Sequence, residues 1–150
     1  MLRTLSLVSI ALMTLGWTST TAVAQNGERV AEACIETIGA TADRHEAVTR
    51  STVHRAVGAI GDLDADGAPN RAIVQAGATA TKVVNAEARR ASDRVASLRK
   101  RCVATLRRLD APTALVASVV SAARSAQESL AATAERGRSV VRSAVERALD

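Results

Sequence analysis

The sequence predicts an all-α protein, an elongated antiparallel three-helix bundle or coiled coil, on three observations. Apolar residues recur at spacings of three and four and almost never alternate at two. Alanine, the strongest helix former, supplies 29 of the residues from 25 to 150. Connections around Pro69 and Pro112 divide that stretch into three runs of similar length, and connections this short make neighbouring helices antiparallel.

Residues 1–24 read as a signal peptide ahead of that bundle. Arg3 gives a positive start, Leu5 to Trp17 an apolar run, and Ala22-Val23-Ala24 a small-x-small cleavage site. The run is about 13 residues against the roughly 20 that a bilayer crossing needs, so the expectation is cleavage before Gln25 rather than an anchor. A lipid on Cys34 is disfavoured, because Val30-Ala31-Glu32-Ala33 carries a carboxylate where a lipoprotein signal wants small and apolar residues. The expected product, residues 25–150, is one alanine-rich domain with no transmembrane segment and a periplasmic or extracellular address. It has 19 basic and 15 acidic side chains, a net charge of +4. Leu, Ile and Val make only 26 of its 126 residues, so its core is thin and small side chains must let the helices approach closely.

The first helix is expected over about residues 28–60, with Asn26 as N-cap, Glu28 in the first turn and Gly61 as the stop. Its inward stripe reads Cys34, Ile38, Thr41, His45 and Val48, flanked by Ile35, Val53, Val57 and Ile60, with Gly39 and Gly58 weakening it. The second is expected over 70–109, opened by Pro69. Val74, Gly77, Thr81, Val84, Ala88, Ala91, Val95, Leu98, Cys102, Thr105 and Leu109 follow one another by three and four, a seam for another helix. The third is expected over 112–149, with Asp110 as a cap candidate. Its seam runs through Val116, Val119, Ala123, Ala126 and Leu130, then Val141, Ala144 and Ala148, and Gly137 is a place where it could bend or split.

The two cysteines test that topology. An exported protein with an even cysteine count favours a disulfide over a free nucleophile. Residue 68, midway between Cys34 and Cys102, falls in the first connection, and residues equally far from a hairpin turn lie opposite each other. Cys34 and Cys102 are therefore expected to pair.

Three features carry candidate chemistry. Asp62-Leu63-Asp64-Ala65-Asp66-Gly67 resembles the first half of an EF-hand calcium loop, in which Asp62, Asp64 and Asp66 would converge on the cation and Asn70 would take the water-bridged position. Ile73 stands where the bidentate Glu should be, so the resemblance implies at most a weak calcium site, and an acidic turn stopped by glycine is the preferred reading. Residues 82–108 carry nine basic and two acidic side chains, and Arg90, Arg94, Arg101 and Arg108 share one helix face suited to an anionic lipid or polysaccharide surface. Complementation of the acidic first helix by the basic second is the preferred use of that charge. Nucleic acid is disfavoured: no aromatic residue follows Trp17 to stack on bases. His45 and His54, nine residues apart, are half a turn out of phase and cannot share a ligand; His45 is expected in the seam and His54 on the surface.

No nucleophile elbow, zinc-protease motif, Cys-x-x-Cys or glycine-rich phosphate loop occurs, and 150 residues exclude a large multi-domain enzyme. The expected function is therefore that of a small exported structural or interaction protein with no catalytic role, binding a protein partner or itself. The alternative is a binder of anionic envelope material through the arginine face, modulated by calcium.

Overall fold

A computed structural model describes the backbone of residues 8–150 and the side chains of residues 25–150. Three helices make up the fold: α1 (Val8–Ala65), α2 (Asn70–Arg108) and α3 (Thr113–Leu149), each packed against both others. No strand occurs among the described residues. The expected leader reaches into residues 1–7 and depends on side chains up to residue 24, all outside the described set; α1 runs unbroken from Val8 past Ala24. No described helix is long and apolar enough to cross a membrane.

The first connection lies five residues beyond the expected stop. α1 passes through Gly61 because Ile60 is buried and Leu63 packs against the same apolar cluster, so ending the helix earlier would forfeit both contacts. The stop is Gly67, in the left-handed region at φ 67°. There the Gly67 N–H bonds to the Asp64 carbonyl and the Ala68 N–H to the Leu63 carbonyl, both at 2.9 Å. Those two bonds form a Schellman motif, which satisfies carbonyls the helix end would otherwise leave unpaired.

The second connection repeats the first. Asp110 takes the left-handed position at φ 48°, its N–H bonds to the Arg107 carbonyl at 3.1 Å, and the Ala111 N–H bonds to the Leu106 carbonyl at 3.0 Å. In both places Ala-Pro follows, and the proline stands as N-cap of the next helix. Asp110 thus ends α2 instead of capping α3, because the residue before Ala-Pro is the one that reverses the chain.

The stripes keep the expected spacing of three and four, and Gly77, Val84, Ala91, Val95 and Cys102 of α2 and Val119, Ala123, Ala126, Leu130, Val141 and Ala144 of α3 are buried as expected, but the phase shifts at other positions. Buried positions with larger side chains recur every eleven residues: Ile38, Thr49 and Ile60 in α1; Ile73, Val84, Val95 and Leu106 in α2; Val119, Leu130 and Val141 in α3. Eleven residues in three turns is 3.67 per turn, the spacing of nearly straight helices with a slight right-handed wrap. A seven-residue stripe slips against that frame, which explains each displaced position. Val48 and Val74 are 42% and 50% exposed, whereas their neighbours Thr49 and Ile73 are buried. Ile35 lies at the surface, Ala42 replaces Thr41 in the interior, and Leu106 rather than Thr105 or Leu109 completes the α2 stripe.

Alanine and glycine bring the helices together. Ala91 and Ala123 are fully buried, and a Cβ on Gly137 would stand 2.8 Å from Val53 Cγ2. A Cβ on Gly77 would collide with Val145 Cγ2. Gly137 therefore does not split α3; it is a buried point of contact within a continuous helix.

Candidate functional site

The interior divides into two apolar clusters. One contains Ile38, Val95, Leu106, Val119 and Leu130, with Cys102 among them and Cys34 packed alongside. The other, nearer the first connection, contains Val53, Ile60, Ile73, Val84 and Val141. Cys34 and Cys102 are bonded, with Cα atoms 6.0 Å apart, as hairpin symmetry about residue 68 requires. Among the described residues no cysteine is free.

Between the clusters lies a belt of polar residues with His45, Thr49 and Thr133 buried in it. Hydrogen bonds cross all three helix interfaces here. Ser129 donates to Glu46 between α3 and α1, and Gln127 donates to Ser92 Oγ at 3.1 Å between α3 and α2. Arg138 donates to Asn85 at 2.6 Å just beyond. Among the described residues, no buried side-chain nitrogen or oxygen lacks a partner. A satisfied polar layer contributes specificity of register more than stability, since a slipped alignment would strand these groups in an apolar interior.

The densest part of the belt is at the α1–α2 interface. His45 Nδ1 lies 2.5 Å from Glu87 Oε1, and Arg94 Nη1 lies 3.2 Å from His45 Nε2. A guanidinium can only donate, so Nε2 accepts from Arg94 and the ring proton sits on Nδ1, donated to Glu87. The chain Arg94–His45–Glu87 is thereby oriented end to end. Glu87 also stands 3.9 Å from Arg90. Sequence reasoning places His45 in the seam but misses both partners. The signal is present: the symmetry that pairs the cysteines sets His45 opposite residue 91, with Glu87 and Arg94 one helical turn to either side.

Beside this chain is a cavity of about 280 Å³ lined by Thr41, Arg44 and His45 of α1 and Arg94, Ser97, Leu98 and Arg101 of α2. Three arginines, each exposed, thus line one open groove. None of the three has a carboxylate oxygen within 4 Å among the described residues, and Asp43 and Asp93, next to Arg44 and Arg94 in sequence, form no ion pair either.

The arginine face is consequently not uniform. Arg94 and Arg101 line the cavity, Arg90 is held near Glu87, and Arg108 folds back onto its own helix, donating to the Ala104 carbonyl at 3.4 Å and to Thr105 Oγ1 at 3.3 Å. Among the described residues no Lys or Arg pairs with a carboxylate between α1 and α2; the one contact of this kind is the hydrogen bond from the neutral His45 ring to Glu87.

The acidic segment is not a loop. Asp62 and Asp64 lie within α1, the Asp66 N–H bonds back to the Asp62 carbonyl at 2.9 Å, and Asn70 opens α2. Residues two apart on a helix point to opposite sides, so this backbone keeps the Asp62 and Asp64 carboxylates apart. No group of three or more His, Cys, Asp or Glu side chains among the described residues is placed to hold a metal ion. His54 is exposed, at a cleft between α1 and α3 whose lining includes Val53, Val57 and Val140 with Arg50 and Arg136.

Comparison with known proteins leaves the fold and these sites to be read on their own terms: no family model matches the chain, and no curated protein or solved structure shows significant similarity to it.

Proposed function

We propose that this is an exported, non-catalytic interaction protein, a disulfide-fastened helical rod that receives a protein partner along the α1–α3 cleft. The observation that carries the reading is the cleft itself, about 390 Å³, with Val53, Val57 and Val140 as its apolar floor and Arg50, His54 and Arg136 beside it. Val140 is 47% exposed there although each helix already packs against both others. An apolar floor beside basic side chains suits an amphipathic helix carrying acidic flanks. The test is retention of a partner from an envelope extract by the immobilised, oxidised full chain and by its Val140→Asp variant. The parent should retain a partner that the variant loses; equal retention by both, or by neither, removes the cleft from the account. Sedimentation equilibrium of the parent alone identifies a second copy as the partner if the mass doubles with concentration.

A second reading, binding to anionic lipid or polysaccharide of the envelope, is supported by Arg94 and Arg101, which have no carboxylate partner within the described residues. It predicts co-sedimentation with anionic vesicles at low salt. Absence of binding there dismisses it, and loss near physiological salt identifies the attraction as long-range charge alone.

A further inference from the structure

The cavity between α1 and α2 has the makings of a discrete anion site. Arg44, Arg94 and Arg101 line it with the hydroxyl residues Thr41 and Ser97, and no carboxylate oxygen lies within 4 Å of any of the three arginines among the described residues. Like charges brought around one space repel, and a counter-charge seated among them removes that cost. Glu87, the carboxylate that ends this hydrogen-bond chain, is already engaged: one oxygen accepts from His45 and the other faces Arg90.

Orientation strengthens the case. Arg94 donates to His45 Nε2, His45 is 5% exposed, and its other nitrogen is fixed on Glu87. One guanidinium of the three, on the exposed Arg94, is therefore held by a hydrogen bond to a buried histidine, and a preorganised fork costs less to order when an oxyanion arrives. The disulfide adds to this, because Cys102 follows Arg101 directly and ties that turn of α2 to α1. Thr41 donates to the Thr37 carbonyl at 2.7 Å, which leaves its oxygen as an acceptor and makes Ser97 the hydroxyl free to donate.

The geometry points to a site for a tetrahedral dianion, a phosphate group presented as inorganic phosphate or as a phosphate monoester. Three guanidiniums supply more donors and more charge than a planar monoanionic carboxylate can use, whereas a phosphate offers several oxygens to them at once. The site shares Arg94 and Arg101 with the anionic-surface reading and rests on no other part of it.

The test is calorimetric titration of the oxidised full chain with inorganic phosphate, with acetate as control. The expected result is saturable binding of one phosphate per chain, with acetate much weaker. Arg44→Gln, Arg94→Gln and Arg101→Gln should each lower affinity by about tenfold, while Arg108→Gln stays within about twofold. Because Arg94 also bonds His45, Ser97→Ala supplies a charge-neutral check: a several-fold loss with unchanged helix content supports a built site. Absence of saturation, or an equal loss from Arg108→Gln and Arg94→Gln, overturns it, whatever the vesicles show. Vesicles distinguish the sources. Binding to phosphatidic acid that free phosphate competes away assigns the site to a lipid headgroup; saturable phosphate binding without such competition assigns it to a soluble ligand. Vesicle binding that survives when phosphate fails to saturate leaves surface attraction standing and removes the pocket.

Discussion

The two halves of the rod are fastened in different ways. The half beyond the polar belt is closed by Cys34–Cys102. The half next to the first connection has no cross-link, and holds its helices together by letting Gly77 and Gly137 approach valines on other helices. A covalent tie stabilises chiefly by restricting the unfolded chain, whereas close packing acts in the folded state. A thin, alanine-rich core thus reaches stability by two routes in one short protein.

The largest expected effect tests the cross-linked half. Reduction, or Cys34→Ser, removes a link across 68 residues and should cost about 4 kcal/mol in the chain-entropy account. Circular dichroism melting with and without reductant measures it, and an unmoved transition would show that packing alone holds both halves.

Next comes the packed half. Gly77→Ala and Gly137→Ala force a methyl group against Val145 and Val53 respectively, and each should destabilise by about 1–3 kcal/mol in urea unfolding. If either variant matched the parent, the valine would have to yield freely and the close approach would carry no weight.

The smallest effects are gains. Gly58 has nothing within 4 Å of a built Cβ, so Gly58→Ala should stabilise by about 0.5–1 kcal/mol, opposite in sign to the same change at Gly77. Asp110 holds a left-handed conformation and a negative charge at the C-terminal end of α2; Asp110→Gly relieves both and should add about 0.5 kcal/mol in the same assay. A loss at Gly58→Ala would mean that α1 approaches a neighbour there.

Much of this architecture is legible in the sequence because it rests on local chemistry. Alanine content and spacing announce three helices, Ala-Pro marks both reversals, and one symmetry argument pairs the cysteines. The phase of the stripes is not legible in the same way. Seven and eleven residues both return a helix to within about 20° of its starting face, so Val74 and Ile73 are near-equal candidates until long-range packing selects one. The arginine face shows the same limit. Arg90, Arg94, Arg101 and Arg108 are equivalent by spacing, and only the approach of Arg44 and His45 from α1 separates the pair that lines a cavity from the pair already engaged. The carboxylates of Asp62 and Asp64 turn on where α1 ends, which Ile60 and Leu63 decide through contacts made far along the chain.

The eleven-residue period also makes the molecule a ruler with fixed graduations. Adding or deleting eleven residues in each helix would keep Ile60, Val84 and Val141 in phase with the residues they follow and change the length by about 16 Å. An increment far from a whole number of turns would swing one end of the rod around its long axis and separate side chains that now meet. Length in such a protein is adjustable in whole modules, and the span between its two ends becomes a quantity that insertions can set without redesigning the interior.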